Sequence, residues 1–183
     1  MLTHESWSVN LGPVSPALPN ITPNPSPSGL GYNPRCLRRD ISLAASSGWS
    51  KDADVAALIK NADTLYNFST TMQGDFAAGY LGVHTAGHFT IGGDPGGDLF
   101  ASPGDPMFFL HHAMIDRTWW TWQNLDLEAR LYAIGATVTL NNNPPSRNAT
   151  LDDVIDLGFV GVPAVTIGEA SFALGGPFCY IYA

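Results

Sequence analysis

The chain has 183 residues, which suits one domain of ordinary size with a core that needs no disulfide to hold it. Eight Lys and Arg stand against sixteen Asp and Glu, a net charge of −8, which argues against nucleic acid and anionic membrane surfaces as partners. Charged residues are only 13% of the chain, against a usual share of about 25%, so much of the surface is expected to lie against something else.

Nineteen glycines and fourteen prolines, beside 11% aromatics, predict long ordered loops around a helical core rather than disorder. No stretch approaches the ~20 apolar residues that span a bilayer. Met1 to Trp7 lacks the charged start and apolar run of a signal peptide. Three glycosylation sequons, at Asn20, Asn67 and Asn148, nevertheless point mildly to a secretory history. Cys36 and Cys179 either close one long loop, as an oxidising compartment allows, or are two independent buried thiols or partners of another chain.

Residues 1–35 carry seven prolines and predict an extended arm, with the rest of the chain, 36–183, as one domain. From Ser50 the sequence predicts a helix of about ten residues, capped by Ser50, with Asp52 and Asp54 complementing its dipole. A second helical stretch is expected to start near 68–71 and a third to cover roughly 76–88. Residues 90–104 form a glycine-rich loop. Asp105-Pro106 then opens the clearest helix, since Asp is a favoured N-cap and Pro is pre-shaped for the first helical position. That helix runs to about Asn124 and is apolar nearly all round, which predicts burial on most sides. A short strand is expected at 137–140. Thr150-Leu-Asp-Asp153 reads as the capping box of a short helix stopped by Gly158, and residues 175–183 as a strand-like or extended tail.

The chemistry is concentrated in the histidines. Four of the five lie between residues 84 and 112. His84 and His88 are spaced i, i+4, so on a helix both imidazoles project from one face and can meet one ion. The Asp105-capped helix can deliver a third imidazole from the opposite side. Adjacent residues on a helix point about 100° apart, so only one of His111 and His112 can face that ion. Asp116, i+4 from His112, is placed to orient an imidazole from behind. Three imidazoles without thiolate or carboxylate suit Cu or Zn. The zinc-protease signature fails, because Thr85 stands where its general-base Glu is needed.

The segments His84-Thr-Ala-Gly-His88-Phe and Asp105-Pro-Met-Phe-Phe-Leu-His-His-Ala-Met-Ile-Asp-Arg117, followed by Trp119, Trp120 and Trp122, resemble the second copper motif of the tyrosinase family. That family comprises tyrosinases, catechol oxidases and molluscan haemocyanins. The stretches Gly92–Asp98 and Asn33–Asp40 look closest to short secreted fungal polyphenol oxidases. The resemblance implies a mainly α fold with long loops, half of a four-helix dicopper bundle. It implies oxidation of o-diphenols to o-quinones with dioxygen, on two coppers each held by three histidines.

On this chain the implied copper ligands are His84, His88 and His112, with His111 a buried hydrogen-bonded neighbour. Thr85 and Phe89 are implied to flank the phenolic substrate, Leu99 to stand at its entrance, and Asp75 to be the nearest candidate for an acidic catalytic partner. Asp116 and Arg117 are expected to form a structural ion pair, and Tyr180-x-Tyr182 resembles the tyrosine motif that closes the family's core.

The first copper needs three more histidines, and only His4 and His111 remain. The chain is therefore expected to supply one copper site, to need a missing N-terminal half or another chain, and to be inactive alone. The alternatives are a non-catalytic metal-binding fragment and, with less support, a haemocyanin-like dioxygen carrier.

Overall fold

The computed structural model describes residues 3–5, 25–26, 31–98, 101–139 and 142–183. Most of the expected 1–35 arm lies outside the described residues, as does Leu99. The chain is mainly helical, with two small antiparallel strand pairs, and it divides into two compact units. Residues 1–56 and 72–115 make the first, and 57–71 with 116–183 the second.

In the first unit β1 (Thr3–Glu5) pairs antiparallel with β2 (Pro34–Cys36). Helix α1 (Leu43–Trp49) is capped by Ser42, whose hydroxyl accepts from the Ala45 N–H at 3.1 Å. It packs on α4 (Gly82–Ile91), burying Ala45, Val83 and Ala86. Small side chains here let the two backbones approach closely. Helix α4 begins at Gly82 rather than near 76, because residues 75–81 close a turn in which Asp75 and Tyr80 exchange two backbone hydrogen bonds.

Next in the chain come helices α2 (Asp52–Asn61) and α3 (Leu65–Gln73). The first turn of α2 does carry Asp52 and Asp54, but Ser50 is not its cap. Ser50 instead ends α1, and Asp54 reaches back to the Lys51 N–H at 2.9 Å. Gly74, at φ +95°, ends α3, and any Cβ there would collide with the Leu81 carbonyl.

Helix α5 (Met107–Asn124) starts as its sequence dictates, with Asp105 Oδ1 accepting from the Met107 N–H at 2.9 Å. Its burial differs from expectation. Thr118, Trp122 and Gln123 are buried, but Phe109 and Leu110 are 62% and 65% exposed. An all-round apolar helix needs cover on every side, and the described residues cover only part of this one.

In the second unit Phe68 and Trp122, both fully buried, stack with centroids 4.8 Å apart. The Trp122 indole N–H donates to the Ala62 carbonyl at 2.7 Å, and the Arg130 guanidinium lies 4.3 Å above the ring. Helix α6 (Leu127–Arg130) follows. Gln123 donates to the Ser171 carbonyl at 3.0 Å, tying α5 to the segment after α7 (Ile167–Ala170).

Two local expectations fail in this unit. Residues 137–139 make an isolated bridge, Thr137 with Asn148, and no strand. The supposed capping box at Thr150 forms a turn, in which Asp153 accepts from the Thr150 N–H at 2.7 Å. The chain then leaves as β3 (Val154–Ile155), paired with β4 (Val165–Thr166). The real capping box is Thr166 with Glu169, at the start of α7. The tail after Gly176 is extended but joins no sheet.

Candidate metal centre

Helices α4 and α5 bring His84, His88, His111 and His112 into one cluster, with every pair of ring centroids between 4.9 and 5.5 Å apart. The i, i+4 spacing aligns the first two, and their Nε2 atoms lie 3.3 Å apart. His88 Nε2 is also 3.1 Å from His112 Nε2. A ligand nitrogen from each of His84, His88 and His111 lies within 4.8 Å of the other two. The centre thus offers four imidazoles, two of them adjacent in sequence.

Hydrogen bonds of the rings, one to a side chain and two to the backbone, decide which nitrogens are free. His84 Nδ1 lies 2.7 Å from the Gln73 side-chain oxygen, and His88 Nδ1 3.3 Å from the Gly96 carbonyl. Both partners are acceptors, so both Nδ1 atoms carry the proton and both Nε2 atoms keep a lone pair. His111 is arranged the other way, its Nε2–H donating to the His84 carbonyl at 2.7 Å. Its ring lies against Gly87, where any Cβ would collide with it. His112 stacks on Phe108, with centroids 4.0 Å apart.

The Gly96 carbonyl is fixed by a latch. Arg38 and Asp94 exchange backbone hydrogen bonds at 2.8 and 2.9 Å, and Arg35 reaches Asp94 at 2.6 Å and Asp98 at 2.8 Å. Arg35 and Asp98 are almost wholly buried, so either alone is a costly uncompensated charge. Arg39 holds Asp105 with two hydrogen bonds, at 2.8 and 3.0 Å.

All four imidazoles are neutral at ordinary pH. Burial first, then repulsion from the other three rings, pulls His84 down to about 3. Burial likewise lowers His111 to about 4, against the opposing hydrogen bond to the His84 carbonyl. His88 and His112 are lowered, again chiefly by burial. Neutral imidazoles are the protonation state that metal binding requires.

Other expected site residues fall elsewhere. Asp75 is exposed, and its carboxylate accepts from the N–H groups of Ala77 and Ala78 at 3.0 and 3.2 Å within its own turn. Thr85 spends its hydroxyl on the Gln73 carbonyl, at 2.7 Å. Phe89 is half-buried on α4. For Asp116, the expected orienting carboxylate, the described hydrogen bonds come from the tail. It accepts from the phenols of Tyr180 and Tyr182, at 2.7 and 2.5 Å, because these hydroxyls arrive on the tail beside it. Nor does Asp116 pair with Arg117, whose guanidinium donates to the Ala183 carbonyl at 3.2 Å. Cys36 and Cys179 are both free thiols. Sequence reading missed Gln73 and the Gly96 carbonyl, which no spacing rule connects to a histidine.

A helix pair that presents this many neutral imidazoles without thiolates is a candidate histidine-ligated metal-binding domain. The common central domain of tyrosinase matches residues 3–125, and the chain belongs to the tyrosinase family. It is 42% identical over 142 residues to a tyrosinase-like protein of Emericella nidulans, covering 74% of this chain and 36% of that protein. It is 31% identical over 186 residues to an N-acetyl-6-hydroxytryptophan oxidase of the same organism, covering 97% of this chain and 50% of that one. Among solved structures, a polyphenol oxidase variant from Thermothelomyces thermophila superposes with a TM-score of 0.86 at 38% identity, over all of this chain and 49% of that one. The chain therefore spans about a third to a half of the length of these relatives. The tyrosinase family is one of copper oxidoreductases, and the histidine group here could bind a metal ion. Among the described residues no helix is long and apolar enough to cross a membrane.

Proposed function

We propose that the chain is the second-copper half of an o-diphenol oxidase, which converts catechols to o-quinones with dioxygen when three further histidines complete a second site. The observation that carries this reading is the convergence of Nε2 atoms, 3.3 Å from His84 to His88 and 3.1 Å from His88 to His112. The donor set suits copper, being neutral nitrogen with no competing carboxylate.

His84, His88 and His112 would hold the ion. His111 belongs to the group of nitrogens within 4.8 Å, but its Nε2 proton is committed to the His84 carbonyl. Its remaining lone pair, on Nδ1, belongs to a ring pressed against Gly87 on α4. We therefore assign His111 to bracing α4 against α5. Bound copper supplies the redox capacity that four imidazoles lack. The chain's own contribution is to fix ligand tautomers through Gln73 and Gly96, and to hold one ligand ring flat on Phe108.

Thr85 and Phe89 follow two of the ligands in sequence and are assigned to the phenol's side of the centre, with Leu99 at the entrance. The Thr85 hydroxyl is already bonded, so it gives a phenol no general-base help. Asp75 is assigned to its turn rather than to proton transfer. The chain's five histidines include only His4 outside the cluster, so a second three-histidine site must draw on ligands from beyond these residues. The exposed Phe109 and Leu110, just ahead of the histidine pair, form part of the face such a half would cover. Exposed sequons at Asn67 and Asn148 support a secreted protein.

The test pairs copper analysis with oxygen uptake on catechol. The 183-residue chain alone should bind one copper and show no uptake, and uptake should appear when a histidine-bearing N-terminal half is added. Rapid catechol turnover by the chain alone would overturn the half-site reading. No uptake with both halves copper-loaded would overturn the diphenol oxidase reading.

A further inference from the structure

Gln73 touches two successive residues of α4. Its side-chain oxygen lies 2.7 Å from His84 Nδ1, and its main-chain carbonyl accepts from the Thr85 hydroxyl at 2.7 Å. Gln73 is the last residue of α3, so that carbonyl has no partner within its own helix, and Thr85 satisfies it. Gly74 then turns the chain away at a φ of +95°, which a side chain would resist, and so holds the amide of Gln73 in place.

A neutral imidazole carries one proton and can place it on either nitrogen. Unlike His88, whose Nδ1 meets a main-chain carbonyl, His84 depends on a side chain for the same choice. From this geometry we infer that Gln73 is a positioning residue. Its carbonyl oxygen selects the Nδ1–H tautomer of His84 and so turns the Nε2 lone pair toward His88 and His112, while the Thr85 bond keeps Gln73 in register with α4. The inference rests on the proposed metal-binding reading for its consequence, though not for the tautomer itself.

The tautomer can be read without metal. Histidine ¹⁵N shifts of the metal-free 183-residue chain, assigned with a His84→Gln variant, should give His84 as protonated on Nδ1. Gln73→Met removes the acceptor while keeping the bulk, and should lose that signature. Gln73→Glu keeps an acceptor oxygen and should restore it. Thermal melts of each variant establish that it is folded. Copper titration should then show affinity reduced about 10- to 100-fold in Gln73→Met, the range for loss of a histidine's outer partner, and recovered in Gln73→Glu. If folded Gln73→Met retains the Nδ1–H signature, the inference is wrong, whatever copper does. If the unsubstituted chain binds no copper but the tautomers respond as stated, the metal reading falls and the role of Gln73 stands.

Discussion

His88 Nε2 lies 3.1 Å from His112 Nε2, although 24 residues separate the two in the chain. Two bare lone pairs so close repel, but a neutral His112 can place its one ring proton on Nε2 and donate it to His88 Nε2, whose own proton faces the Gly96 carbonyl. Burial disfavours a second, charging proton on either ring, since it lowers both histidines. In the proposed reading a metal ion takes the place of that shared proton.

The metal-free chain should therefore weaken in mild acid. His84 falls to about 3 and His111 to about 4 from the ordinary 6.5, so the folded state resists protons that the unfolded chain accepts. Their contribution is present above the unfolded value and is lost as pH falls from 6.5 through about 4 to 3. Urea midpoints of metal-free protein should drop steadily across that window. A His111→Asn variant should show a shallower drop.

Gly87 should tolerate no side chain. A methyl group there would strike the His111 ring, which must stay to reach the His84 carbonyl. Gly87→Ala is expected to destabilise the fold by about 1–3 kcal/mol and to weaken copper binding. Gly48→Ala, in α1 with open space around it, is the control and should be neutral or stabilising by up to about 1 kcal/mol. Chemical denaturation of both variants makes the comparison.

The buried latch of the glycine-rich loop should be sensitive to removal of one partner. Asp98→Ala leaves the buried Arg35 guanidinium with Asp94 as its remaining carboxylate among the described residues, and should cost less than the ~3–5 kcal/mol of a wholly unpaired buried charge. It should also free the Gly96 carbonyl that His88 uses, so that copper affinity falls with stability.

At the other end of the chain, the tail phenols should titrate late. Burial, followed by the hydrogen bond to the Asp116 carboxylate, pushes Tyr182 up to about 12 and raises Tyr180 as well. The folded state therefore holds these protons more tightly than the unfolded chain. The stability they add is complete below pH 10 and disappears as pH rises through about 12. Phenol absorbance should show two tyrosines ionising above the others, and Asp116→Asn should bring both down.

Some of this was legible in the sequence because it rests on local rules. The i, i+4 pair His84 and His88 and the Asp105-Pro106 helix start are set by spacing and by one residue's own hydrogen-bonding habit. Helix α1 was missed because Ala-Ala-Ser-Ser-Gly has no apolar period; it forms against α4 under a Ser42 cap. The Thr150–Asp153 pattern misled because the same side-chain bond closes a turn as readily as it caps a helix, and pairing of β3 with β4 decided the outcome. Helical spacing sets Asp116 i+4 from His112, but it could not show that two phenols of the tail also reach the carboxylate. Gln73 and Gly96 act through geometry that only the folded chain assembles.

The central claim concerns which three histidines hold the ion, and copper titration of two single variants tests it most directly. His112→Ala should lose copper affinity by more than the ~10- to 100-fold typical of an outer partner, because it removes a ligand. His111→Ala should keep a one-copper site of reduced affinity, since it removes only the brace on the His84 carbonyl. Copper binding that survives in His112→Ala and vanishes in a folded His111→Ala would contradict the account.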